Sequence, residues 1–520
     1  MNKQRSRTQN TILNLMSGFV GEIIIYGLNF VSRTVFIQTL GKEYLGIGGL
    51  FSNILSLLCL ADLGIGTALN YRLYKPLKEN NENRLHILMT FYKKVYRIIG
   101  LGILGLGICV IPFLQYVIKD FEKFARLGLS ATLVFGLYLL QSVSTYWFFA
   151  YKSAIVKADQ REYSLNLIGY IGAFLTAIVQ IVVLVTTRNY MIYIASVILM
   201  NILQNYMYAR IADKYYPFLK EKNLETLTKQ EKKQIFKDCG AISIFEISSV
   251  VLKATDNLVL ASFIGLDIVG LYSNYLMIYN ALKKIIKRIV RSAQASLGNL
   301  FTSVSCEVQY DFFKMMNLTI TLICGTAAVC VAVLSDEFIT VWIGKEFVIA
   351  MPFSTLIGIE LYTIGLKLHL EQIRNVLGLF QQMKIRPIIS VVLNVIISVA
   401  CVQNHGIYGV LIGTLISEWA TTLVIDPYII YKKGFKGYRS CLSYYLRNTI
   451  YVLELTFIGS VNWYFCNHVL LDRGWISFLV HSVVCVCSTI VFIIIINIKS
   501  REMRDLLARV QRVLCLVVSK

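Results

Sequence analysis

The sequence predicts an all-α polytopic membrane protein, and three observations carry that expectation. Apolar residues make up 56% of the chain at a mean hydropathy of +0.62, whereas soluble domains run nearer ~45–50% apolar. Fourteen apolar segments approach the roughly 20 residues that a helix needs to cross hydrocarbon. The basic residues gather on alternate connections between those segments.

The fourteen segments lie at about residues 11–34, 46–69, 95–118, 127–149, 165–186, 190–209, 239–264, 268–290, 316–335, 347–370, 385–402, 406–429, 446–466 and 475–498. Residues 210–238, the longest polar stretch, form a highly charged linker with no room for a folded domain, so no appended catalytic or nucleotide-binding unit is expected. The first ten residues, MNKQRSRTQN, carry the charge of a signal peptide. The apolar segment after them is long, contains Glu22 and Asn29, and ends at no A-x-A-like site, so it reads as the first span.

A formal net charge of +21 raises the question of nucleic acid, and the position of the charges answers it. With a cytoplasmic N-terminus, seven of the 51 Lys and Arg fall on outer connections: Lys42, Lys119, Lys123, Arg126, Arg188, Lys345 and Arg473. Three, Arg33, Lys253 and Lys367, lie inside segments, and the remaining 41 lie on the inner side. That is the positive-inside bias of a membrane protein with both termini in the cytoplasm. No nucleic-acid partner is expected. The twelve Cys contain no CxxC and lie mostly within or beside spans, so neither a disulfide framework nor a zinc site is indicated.

An internal repeat organises the chain. "GKEYLGIGGLFSN" at 41–53 returns as "GLDIVGLYSN" at 265–274, with Gly41 and Gly46 matching Gly265 and Gly270 at an offset of 224 residues. Glu22 maps onto Glu246 by the same offset, and Asn53 onto Asn274 after a three-residue gap. Segments 1 and 2 therefore correspond to segments 7 and 8. The six segments between copies are an even number, so both halves run the same way through the membrane. Parallel repeats of this kind build secondary transporters, with the substrate between the halves. The glycines suit a tight turn.

Charged residues inside the spans sharpen the reading. Glu22, Arg33, Asp62, Glu246, Lys253, Asp256, Glu360, Lys367, Glu418 and Glu454 each cost about 2.5–3.5 kcal/mol at a helix centre, so they must face protein or water. Glu22, Tyr26, Asn29 and Arg33 form one polar stripe on segment 1 at helical spacing, and segment 7 repeats the device with Glu246, Lys253 and Asp256. Segment 10 does so with Glu360, Lys367 and Glu371. Buried ion pairs that fix helix packing are one reading of such stripes; three together favour a hydrated central cavity. At the inner end of segment 8, Lys284, Lys287, Arg288 and Arg291 share one cationic face. Such clusters bind phosphates, and they also anchor helices to anionic head groups. No G-x-x-x-x-G-K-[ST] occurs, the five His have no metal-ligand spacing, and no cofactor is expected.

The segments "SRTVFIQTLGKEYLGIGGLFSNILSLLCLADLGIGTALNYRLYKPL" (32–77) and "ATDNLVLASFIGLDIVGLYSNYLMI" (254–278) make the chain resemble the polysaccharide-transporter branch of the multidrug/oligosaccharidyl-lipid/polysaccharide exporter (MOP) superfamily. It looks like a bacterial flippase for O-antigen or capsule repeat units. The resemblance implies a MATE-like pair of six-helix bundles, residues 1–210 and 239–432, in a V around a cationic cavity. A basic linker (211–238), an extra helix pair (433–498) and a basic tail (499–520) complete the division. Such proteins move undecaprenyl-pyrophosphate-linked oligosaccharides outward across the plasma membrane. On this reading the expected diphosphate ligands are Arg33, Lys253, Lys284, Lys287, Arg288 and Arg291. Tyr26, Asn29 and Asn274 would meet sugar hydroxyls, and Glu22, Asp62, Glu246 and Asp256 would bind a coupling proton or cation.

The resemblance implies further partners: membrane lipids, the lipid-linked cargo, and the glycosyltransferases and polymerase of its pathway. A monomer is expected. A multidrug exporter or a lipid II flippase on the same fold are the neighbouring alternatives. A membrane polymerase or glycosyltransferase is the remote one, because the outer connections are too short to hold sugar chemistry.

Overall fold

The computed structural model describes residues 7–59, 72–74, 76–118, 121–159, 161–221, 226–292, 297, 301, 304–349, 352–379, 382–383, 385–435, 440–468 and 474–518. The described chain is helical, without strands. Its long helices in the first half are α1 (Arg7–Leu40), α2 (Lys42–Leu58), α3 (Glu82–Val110), α4 (Ala131–Trp147), α5 (Glu162–Thr187), α6 (Tyr190–Tyr215), α7 (Lys229–Phe263) and α8 (Leu266–Ser292). The second half adds α9 (Cys306–Ile343), α10 (Pro352–Leu377), α11 (Arg386–His405), α12 (Ile407–Ile429), α13 (Leu442–His468), α14 (Trp475–Asn497) and α15 (Arg501–Val518).

Each apolar segment of the sequence overlaps one of α1–α14. Among the described residues, seven helices are long and apolar enough to cross a membrane by length and composition. Five of them leave most of their apolar window open, the reverse of a soluble helix: that of α14 is only 22% buried, and Ile476, Val483 and, on α3, Ile98 are 78, 63 and 68% exposed. Apolar faces left open on this scale need a non-aqueous surrounding.

Polar side chains cap the first turns of several helices. Asn81 accepts from the Arg84 amide (2.9 Å) at the start of α3, and Asn189 accepts from Met191 and Ile192 at the start of α6. Thr228 and Glu231 form a reciprocal capping box that opens α7, satisfying two otherwise orphaned donors. Pro427 lies inside α12, and one turn later the chain widens into a π turn, Ile430–Gly434. A proline removes a helical hydrogen bond and bends the axis there.

Two compact units divide the chain, Met1–Gly270 and Leu271–Lys520. In the first, α1 packs on α5, α5 on α6, α3 and α6 on α4, and α7 on α2. Close helix approach rests on small residues, as usual inside membranes: Gly21 faces the Tyr170 ring, and Gly107 faces Leu139. In the second unit α11 and α12 form a tight hairpin, α9 packs on α10, α10 on α12, and α13, α14 and α15 lie against α9. Gly409 and Gly413 seat α12 directly on the backbone of Cys401 and Ser398.

The repeat appears as the same helix–glycine–helix joint. Gly41 (φ 94°) separates α1 from α2, and Gly265 (φ 131°) separates α7 from α8. Both adopt a backbone conformation that side chains disfavour. Five residues on, the second glycine of each copy meets the other. A methyl at Gly46 would lie 2.1 Å from the Leu266 carbonyl oxygen, and one at Gly270 would lie 2.4 Å from the Lys42 carbonyl oxygen. Each glycine thus abuts the first residue of the other's helix, so α2 and α8 cross reciprocally at their opening turns. Lys123 reinforces the crossing with an ion pair to Asp267 (2.9 Å).

Gly46→Ala and Gly270→Ala should therefore each lower the thermal stability of the purified protein by an overpacking cost of roughly 1–3 kcal/mol. Both perturb one crossing, so the double variant should lose less than the sum of the singles. Gly102→Ala and Gly105→Ala, which open onto free space, should be neutral or mildly stabilising in the same melts; equal losses at all four sites would count against the crossing.

A second prediction concerns acid. The Thr228 amide, then Arg84, hold the Glu231 carboxyl below the ordinary carboxylate range, and Arg84 ties α3 to α7 by pairing with it. Its stabilising contribution is full above the unfolded carboxyl pKa and is lost as pH falls through the lower folded value. Melting temperature between pH 7 and pH 3 should fall less steeply in Glu231→Gln than in wild type.

Candidate functional site

In the second unit α8 presents a polar ladder at helical spacing. Tyr275 donates to Asp336 (2.7 Å) and accepts from the Ile349 amide (3.0 Å). One turn on, Tyr279 donates to Glu360 of α10 (2.7 Å). Lys283 follows, 3.4 Å from the Tyr279 hydroxyl and 5.1 Å from the centre of its ring. Lys367 of α10 pairs with Glu418 of α12, whose other carboxylate oxygen is buried without a hydrogen-bond partner among the described residues. Charged members of α8, α10 and α12 are thereby drawn into one neighbourhood. Glu371 instead pairs with Arg374 on its own helix (3.8 Å).

The expected diphosphate face of α8 lies on the same helix. Lys284 is exposed, Lys287 and Arg288 are half-buried, and the Arg291 side chain lies outside the described residues. Asn274 is fully buried. In the first unit Asn29 is exposed, and Tyr26 and Arg33 are half-buried on α1. Arg33 lies in the electrostatic reach of Tyr193 on α6, whose ring packs edge-on against Phe36 (5.1 Å). Asp256 is buried on α7. Asp62 and the side chains of Glu22, Glu246 and Lys253 lie outside the described residues.

A further basic cluster is gathered by the fold. Lys93, one turn from Arg97 on α3, sits close to Lys152, and Lys152 is itself buried against Asp213 (2.5 Å). Tyr92, Tyr96 and Tyr146 form a ladder beside them, with ring centres 4.8 and 5.7 Å apart. The spacing of Lys93 and Arg97 is legible in the sequence, whereas the arrival of Lys152 is tertiary. His369 has no exposed surface and packs tilted against the Phe313 ring, with ring centres 4.7 Å apart. Among the described residues no three His, Cys, Asp or Glu side chains converge as a metal would require.

No family model matches the sequence, and no curated protein matches it either. Solved structures do match. A structure of the lipid II flippase MurJ in an inward closed conformation aligns at a TM-score of 0.64 and 14% identity, over 95% of this chain and 100% of its own. The fold is the one found in MOP-superfamily transporters. An inward-facing multidrug resistance MATE transporter of that superfamily aligns at 0.60 and 13% identity, over 80% of this chain and 96% of its own. An outward-facing MATE structure aligns at 0.53 and 14% identity, over 80% and 94%. The likeness to the MurJ fold thus extends over nearly the whole chain.

The Lys367–Glu418 pair gives a direct test of what the α10 charges do. Lys367→Met strands a carboxylate that is only 5% exposed, a loss of roughly 3–5 kcal/mol where a buried pair loses one partner. Lys367→Met combined with Glu418→Leu should recover most of the melting temperature. A single variant as stable as wild type would mean that Glu418 is solvated.

Proposed function

We propose that this chain is a flippase that carries a lipid-linked oligosaccharide, attached through undecaprenyl pyrophosphate, across the bacterial plasma membrane by alternating access. The observation that carries this reading is coverage: the likeness to a lipid flippase takes in 95% of this chain, while that to the MATE structures takes in 80%. A cargo with a diphosphate and several sugars cannot enter hydrocarbon, where even one charge costs several kcal/mol. It needs a polar, cationic route that leaves its polyprenyl tail in lipid.

On this reading Lys284, Lys287, Arg288 and Arg291, with Arg33 and Lys253, hold the diphosphate through charge-assisted hydrogen bonds. Tyr26, Asn29 and Asn274 meet sugar hydroxyls, and Glu22, Asp62, Glu246 and Asp256 bind the coupling proton or cation. The repeated halves would rock about the bound cargo, with both termini in the cytoplasm and one chain sufficing. Glycosyltransferases that build the cargo and a polymerase that consumes it are the partners this role requires.

The test is the leaflet location of the lipid-linked oligosaccharide, read with a membrane-impermeant reagent on spheroplasts. Without the protein the lipid-linked unit should accumulate on the cytoplasmic face, and wild type should restore it outside. Arg33→Gln with Lys253→Gln should slow that export at least about tenfold, the scale of one lost charge-assisted contact, at unchanged expression. Unchanged sidedness with altered drug tolerance would point to the multidrug reading instead.

A further inference from the structure

Three neighbouring helices of the first unit end their uncharged stretches at one level. No charge falls in residues 98–118, 127–151 or 189–209, each run long enough to cross a hydrocarbon layer that takes roughly 20 residues. One end of each run is set by Arg97 on α3, by Lys152 just after α4 and by Arg210 on α6. α4 packs on both α3 and α6, and side chains join the three boundaries. Lys93 lies within electrostatic reach of Arg97 and Lys152, and Lys152 pairs with Asp213 of α6 (2.5 Å).

Open aromatic side chains mark the same level. Trp147, Phe148, Phe149 and Tyr206 are all exposed. Tyr206 meets Phe149 at 6.5 Å and carries Arg210 over its own ring at 5.0 Å. Aromatic belts of this kind sit at head-group depth. The Trp147 indole donates to the Arg97 carbonyl oxygen (3.3 Å) and covers Gly100, so the belt and the cations touch.

The charge gathered here is not balanced. Lys152 is 7% exposed and already holds Asp213. Lys93 and Arg97, both exposed, form no ion pair among the described residues, although Lys93 faces two further cations. A strained turn keeps Lys152 in place beside them. Phe149 adopts φ 60°, which residues other than glycine rarely do, and the Lys152 amide closes that turn on the Phe149 carbonyl oxygen (3.0 Å). Like charges held together repel. A phosphate set between Lys93 and Arg97 would replace that repulsion with charge-assisted hydrogen bonds, and basic sites between membrane helices bind anionic head groups in this way.

We propose that Lys93 and Arg97, with Trp147 beside them, hold the phosphate of an anionic phospholipid at the membrane boundary of the first unit. The site shares no residue with the diphosphate route and stands whether or not the chain is a flippase.

The experiment uses the full chain in nanodiscs of phosphatidylcholine with a minor fraction of phosphatidylglycerol, one lipid or the other carrying brominated acyl chains that quench nearby tryptophan. The Trp147 signal is the difference between wild type and Trp147→Phe. Its quenching should show phosphatidylglycerol preferred over phosphatidylcholine. Lys93→Gln and Arg97→Gln should each cut that preference about fivefold, the scale of one basic residue at an anionic surface. Lys94→Gln removes the same charge about 100° further round the helix, away from the buried Tyr92 and Ile99, and should leave the preference intact. Native mass spectrometry of the detergent-solubilised chain, which needs no tryptophan variant, should show phosphatidylglycerol retained by wild type and lost from the Lys93→Gln, Arg97→Gln double variant. Inorganic phosphate, titrated at constant ionic strength into discs of phosphatidylcholine alone, tells a free ion from a lipid-borne phosphate and should leave Trp147 emission unchanged. A saturable response to phosphate without a preference for phosphatidylglycerol would assign the site to the free ion and overturn the lipid. No preference at Trp147, or equal losses in Lys94→Gln and Lys93→Gln, would reduce the cluster to general attraction by the membrane surface and overturn the site.

Discussion

The crossing of α2 and α8 is the constraint on which the arrangement of the repeated helices depends. Two helices can touch backbone to backbone only where neither carries a side chain, and Gly46 and Gly270 supply that on both sides of one contact. The positive-φ glycines five residues earlier, Gly41 and Gly265, set the direction from which each helix arrives. Four glycines, two per copy, therefore define a joint that a single methyl group would obstruct. In a bilayer there is little hydrophobic drive to bring helices together, so close packing of this kind carries much of the association.

Among the described residues of the second unit, charges within the apolar segments find partners. An isolated charge at a helix centre costs several kcal/mol, and the structure shows where the compensation comes from. Lys367 finds Glu418, Glu360 finds Tyr279, and Arg386 finds Asp426 (3.2 Å). Removing one partner is costly, while replacing a whole pair with apolar groups is often neutral. Pairs therefore fix the register of α8, α10, α11 and α12 and still leave polar capacity at Glu418. On α8, Lys284 is exposed and Lys287 and Arg288 are half-buried, and under the proposed function they meet the anionic part of the cargo.

The place where the N-terminal ends of α9, α13 and α15 meet shows the same economy in another form. The cations there are neutralised by Asp311 and Glu502, and α15 is held down by Arg501 and by Met503, which has no exposed surface. One half of the chain thus carries both a cationic helix face, proposed above to meet phosphate, and a cluster in which cations and carboxylates balance.

Much of this protein is legible in the sequence. The apolar segments, the one-sided basic residues and the glycine joints depend on local composition or on the conformation of one residue, and each reads directly from the chain. The cationic face of α8 follows from spacing on one helix. Partnership is what only the tertiary structure decided. Lys367 and Glu418 are 51 residues apart and Tyr279 and Glu360 are 81 apart, so their meeting depends on how whole helices pack. The repeat marked Gly46 and Gly270 as equivalent, yet only folding could place them against each other. The approach of Lys152 to Lys93 was likewise invisible, because it depends on how the turn after α4 meets α3 and no single stretch of sequence encodes it.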